Sequence, residues 1–162
     1  MSRPLGQSRD VVAPAREATA YAVDYYAWVQ EQVAALKAGQ LDQLDLDNLA
    51  EEVGDLGSSV KREIRSRLKV LLIHLLKWQF QPTRRSSSWK ATIVDQRNEL
   101  LDELAESPSL RRYPAEILQR QYSAARLGAA GETHLSESVF PRDCPFAIAD
   151  ILDPAFFPEA EA

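Results

Sequence analysis

Arg67 and His74 stand seven residues apart in the run RLKVLLIHLLKWQFQPTRRSSSWKATIVDQR, which ends at Arg97. In a helix that spacing places them two turns apart on one side, about 10.5 Å in rise. Histidine exchanges a proton near neutral pH and arginine grips a phosphate through paired N–H donors, so the two have the chemistry to cleave a phosphodiester without a metal. Arg97 would assist them. Against this stands a structural reading, which leads: Arg67 pairs with Glu63 one turn back, and His74 edges an apolar stripe with one hydrogen bond.

Gln96 lies between Ile93 and Leu100 on a face expected to be buried, with Arg97 beside it. If the flanking helices run antiparallel about residues 81–87, His74 is level with residues 93–97. Arg67, His74, Gln96 and Arg97 would then gather, either to fix helix register or, with an opening to solvent, to hold a ligand. Lys77, Arg84, Arg85 and Lys90 surround Trp78, Phe80 and Trp89, a mixture that contacts phosphates and stacks on bases in nucleic-acid binders. Tryptophans at a helix end and at the next helix start more often lock the turn between them. Glu51, Glu52 and Asp55, with His74 or His134, are the potential metal ligands, but the chain has no Glu-x-x-His pair and the helix dipole already accounts for an acidic first turn. No metal or other cofactor is expected. Cys144 is read as a structural thiol, since no histidine and asparagine pattern accompanies it.

The elements that must position these residues are helical. Tyr25, Trp28, Val29, Gln32 and Leu36 recur at three and four residue steps within about Thr19 to Ala38, and Gly39 follows at the position where helices turn left-handed. Asp45 or Asp47 can cap a second helix, whose stripe from Leu49 through Val53, Leu56, Val60, Ile64 and Leu68 to Leu75 meets no proline before Pro82. Gly54 and Gly57 predict a kink, a close contact or a break into two helices. One of the serines at 86–88 caps a third helix, which Ser107 and Pro108 end. Pro114 opens a fourth, which is expected to stop in the region of Gly128 to Gly131. Seven apolar residues from Phe140 to Phe157 lie among prolines, which predicts a strap with one short helix near residues 146–152. The fold class is therefore all-α, an up-and-down bundle of four main helices with a C-terminal strap. Residues 1–17 read as a flexible tail and residues 18–158 as one domain.

At 162 residues, with 45% hydrophobic and 27% charged side chains, the chain is long enough to bury a core without staples. The net charge of −5 argues against a general nucleic-acid binder, yet it hides a basic middle, with 10 basic and 2 acidic side chains over residues 61–97, between two acidic thirds. Val70 to Leu76 is much too short for a membrane span of roughly 20 residues. A lone cysteine and no secretory-type apolar stretch before Tyr21 point to the cytoplasm.

In order along the chain, DYYAW, LDLDNLAEEV, SRLKVLLIHLLKWQFQP, SSSWKATIVDQR, SPSL and CPFAIADILDPAFFP resemble the blocks of the bacterial family known as domain of unknown function 29. That resemblance implies a helical fold and carries no activity. Arg67 and His74 also resemble, loosely, the arginine and histidine pair of the HEPN ribonucleases. The leading expectation is a non-enzymatic module that binds or regulates an unknown protein partner, with a homodimer as one form. RNA enters only under two alternatives, cleavage by Arg67 and His74 or binding through residues 77–90.

Overall fold

The computed structural model describes residues 20–160. Five α-helices follow one another: α1 Tyr25–Ala38, α2 Leu46–Phe80, α3 Ser87–Glu106, α4 Tyr113–Thr133 and α5 Ile148–Leu152. Single 3₁₀ turns at Leu41–Gln43, Pro82–Arg84, Pro108–Leu110 and Glu137–Val139 join them, and no strand occurs among the described residues. The all-α class, the four main helices and the strap with its short helix are as the sequence predicted.

The helix ends follow capping chemistry. Asp24 accepts the Ala27 amide at the start of α1, and Gly39 ends it at φ 69°, a conformation that costs glycine little. Asp45 accepts the Asn48 amide before α2, and Ser86 accepts the Trp89 amide before α3. α2 is continuous through Gly54 and Gly57 and has 35 residues. α4 outruns its expected stop at Gly128 to Gly131. A Cβ at Gly128 would fall 2.9 Å from Ile73 Cδ1, so this glycine serves a close approach between α4 and α2, and exposed His134 takes the left-handed cap at φ 58°.

Two compact units divide at Gly54 and Asp55. The first, described from Ala20, is a helical hairpin. Tyr21 and Tyr25 both donate to Glu52, while Trp28 donates to the Asp45 carboxylate and Gln32 accepts the Asp45 amide, so α1 and the first turns of α2 run antiparallel. Its buried residues are Trp28, Gln32 and Ala35. Tyr25 and Leu36, placed on the same stripe by the sequence periodicity, are exposed instead.

The second unit holds the main core. Ile64, Leu68, Leu71, Leu72, Leu75 and Leu76 of α2 are buried against Ile93 and Leu100 of α3 and Tyr122, Ala125 and Ala129 of α4. Arg67 reaches Glu99 while Arg65 reaches Tyr113 and Lys77 reaches Glu132, so α4 runs parallel to α2 with α3 antiparallel to both. The strap adds Phe140, Phe146 and Ile151 to this core, and α5 packs on α3 and α4.

Candidate functional site

Arg97 is the largest fully buried side chain in the described residues, at 1% exposure. Its position midway along α3 aims it at the strap. Nε donates to the Ile151 carbonyl at 2.8 Å, Nη1 to Pro154 at 3.3 Å and Nη2 to Phe156 at 2.9 Å, and the Phe157 ring lies 5.6 Å from the guanidinium carbon. Burial lowers its pKa from the ordinary arginine value, while Asp153 pulls the other way. Such a group remains a cation at neutral pH, and the three carbonyls satisfy it in the way buried charge requires.

Arg85 makes a second clasp. Its Nε donates to the Trp78 carbonyl at 2.8 Å, its Nη2 to the Pro158 carbonyl at 3.4 Å, and its guanidinium covers the Trp78 face. Trp78 in turn meets Phe157, whose ring also receives Lys90 at 5.8 Å. Lys77 is buried, donates to Glu132 at 2.6 Å and lies over the Trp89 ring at 4.5 Å. Three residues of the expected basic patch are thus engaged with rings or carbonyls beside the strap and the α2–α3 turn, and Arg84 stays exposed. Arg126 adds a third strap contact through the Glu137 and Phe140 carbonyls.

The Arg67 side chain faces Glu63 Oε1 at 2.6 Å and Glu99 Oε2 at 3.5 Å. His74 turns its Nδ1 back to the Val70 carbonyl at 3.0 Å, one turn earlier on its own helix. Burial lowers its pKa, a hydrogen bond to Val70 raises it in part, and the nearby Lys77 charge lowers it further. Gln96 is half-buried. No hydrogen bond or ion pair among the described residues joins Arg67, His74, Gln96 and Arg97, and the polar contacts of Arg67, His74 and Arg97 go to separate places. Cys144 donates to the Phe146 carbonyl at 3.5 Å, and burial raises the pKa of its thiol. No group of three histidine, cysteine or acidic side chains that could hold a metal ion occurs among the described residues. Nor does any described helix have the length and apolarity to cross a membrane.

The surface that sequence periodicity did not reveal lies on the hairpin. Leu46 and Val53 of α2 are 65% and 66% exposed, and Tyr26, Val33 and Leu36 of α1 are exposed too. Leu36 and Val53 fall on the stripes that periodicity reads as interior, whereas Tyr26, Val33 and Leu46 lie off the stripes it marked. Residues 20–54 carry seven acidic side chains and one lysine, a net charge of −6. Searches of curated proteins and of solved structures returned no match. The family model described as Domain of unknown function DUF29 matches residues 20–157, and the chain belongs to that family.

Proposed function

We propose that this chain is a non-enzymatic binding module whose helical hairpin, residues 20–54, receives a protein partner. One observation carries the reading. Of eleven large hydrophobic residues exposed among the described residues, eight lie in the hairpin: Val23, Tyr25, Tyr26, Val33, Leu36, Leu41, Leu46 and Val53. Scattered exposed leucines are ordinary, but a concentration in one small unit marks an interaction surface. The residues with catalytic chemistry support an enzyme less well, because Arg67 faces two carboxylates and Arg97 faces three carbonyls.

The test is photo-crosslinking in the source cell, with a photoreactive residue at Val33 or Val53 and a control at Leu127, an exposed position on α4. A dominant protein adduct of one mass from the hairpin positions alone is expected. Equal adducts from Leu127, or none from the hairpin, overturn the reading.

A further inference from the structure

The hairpin has two helices, and each leaves an apolar stripe exposed. In α1, Trp28, Gln32 and Ala35 form the buried face. Tyr26, Val29, Val33 and Leu36, at steps of three, four and three, lie roughly 110° round from that face at 3.6 residues per turn. In α2, Glu52 and the preceding Asp45 mark the side toward α1, and Leu46 and Val53 are displaced from it by roughly 100° in the same rotational sense. The helices run antiparallel, so phase advances clockwise around one and counter-clockwise around the other when both are viewed from one end. The two apolar stripes therefore open on the same side. Half-buried Leu49 lies between the exposed stripe of α2 and the helix contact, half-buried Val29 lies within the stripe of α1, and the two form the floor. Two parallel apolar ridges over such a floor are the seat that an amphipathic helix takes when it packs into a groove.

Charge selects the occupant. We infer that the groove formed by Tyr26, Val33, Leu36, Leu46 and Val53 binds an amphipathic helix with basic flanks from another protein, completing a three-helix bundle. This rests on the hairpin being the docking surface proposed above. The charge of −6 over residues 20–54 steers a cationic segment toward the groove. A second copy docking through the same face would bring −6 against −6. Nucleic acid is repelled for the same reason.

The experiment uses the full chain and three synthetic 18-residue peptides: leucines at three and four residue steps with lysines elsewhere, the same pattern with glutamates for lysines, and the leucine–lysine composition scrambled to destroy the stripe. Calorimetric titration is run at low and high salt against the wild type and the double variant Leu46→Ser/Val53→Ser, with circular dichroism confirming that both are folded. The patterned lysine peptide is expected to bind best, to weaken at least tenfold in the double variant, and to weaken as salt rises. The inference is overturned if that peptide fails to bind, if the scrambled peptide binds equally, or if the double variant binds it unchanged. Preferential binding of the glutamate peptide that the double variant loses would overturn the basic partner and leave hairpin docking standing. Dimerisation in sedimentation that the double variant abolishes would do the same and identify a second copy. A peptide of residues 1–19 that outcompetes the lysine peptide would assign the groove to the chain's own N-terminal segment.

Discussion

Arg97 on α3 binds the backbone of Ile151 on α5, with Nε 2.8 Å from the carbonyl oxygen across 54 residues of chain. Two more carbonyls of the strap, from Pro154 and Phe156, complete its coordination. Removing the guanidinium would orphan acceptors at about 1–3 kcal/mol each. Arg97→Met is therefore expected to destabilise the fold by about 3 kcal/mol or more. Urea denaturation measures that loss, and limited proteolysis should show cleavage appearing within residues 141–158. A variant as stable and as protease-resistant as the wild type would remove the clasp from this account.

His74 makes stability depend on pH. Burial lowers its folded-state pKa, assisted by the facing Lys77, and the Val70 carbonyl and Glu132 on α4 only partly oppose this. The unfolded chain then binds the proton more readily, with an ordinary histidine pKa of about 6.5. The contribution is fully present above that value and is lost as pH falls through it toward the lower folded value. The melting temperature should fall between pH 7.5 and 5.5, and His74→Gln should fall less. Parallel curves for the two proteins would exclude the histidine as the source.

Glu52 sets the ionisation of two phenols. Its carboxylate accepts from Tyr21 at 2.5 Å and Tyr25 at 2.8 Å, which raises both pKa values and pushes Tyr21 up to about 12. In Glu52→Ala both should titrate closer to the usual value of about 10. Ultraviolet difference titration reads this directly, and an unchanged titration would mean that the hydroxyls do not meet this carboxylate in solution.

Three glycines divide into two kinds. Nothing lies within 4 Å of a Cβ at Gly54 or Gly57, so alanine at either should add roughly 0.5–1 kcal/mol through helix propensity. Gly128→Ala meets Ile73 Cδ1 at 2.9 Å, and overpacking of about 1–3 kcal/mol should exceed the same propensity gain. Thermal unfolding of the three variants should give shifts of opposite sign. A stabilised Gly128→Ala would show that Ile73 yields easily.

Purified chain in excess chelator is expected to leave RNA intact. Cleavage by the wild type, lost in His74→Ala at matched folded concentration, would restore the ribonuclease reading of Arg67 and His74.

Much of the fold was legible because caps and breakers act locally. Gly39, Asp45, Ser86 and Pro108 mark boundaries through contacts with residues a few positions away. Gly128 misled because its purpose is Ile73, on another helix. Counting antiparallel turns places Arg97 with Arg67 and His74, yet its partners are main-chain carbonyls, which have no residue signature, 54 to 59 positions away. The hairpin groove escaped for a different reason. Leu46 and Val53 obey the same period as Leu68 and Leu75, and hydrophobic spacing cannot distinguish a stripe that is covered within the chain from one left open.

The strap also orders events in time. On a ribosome the chain emerges from its N-terminal end, so α2, α3 and α4 are available before residues 140–158 exist outside the exit tunnel. Until then Arg97 has none of its three carbonyls, and a buried cation without partners is costly. The nascent bundle must therefore stay loose around the middle of α3, hydrating that guanidinium. Arrival of residues 140–158 lets the site dry and close, so the core tightens after α2, α3 and α4 have emerged rather than as they do.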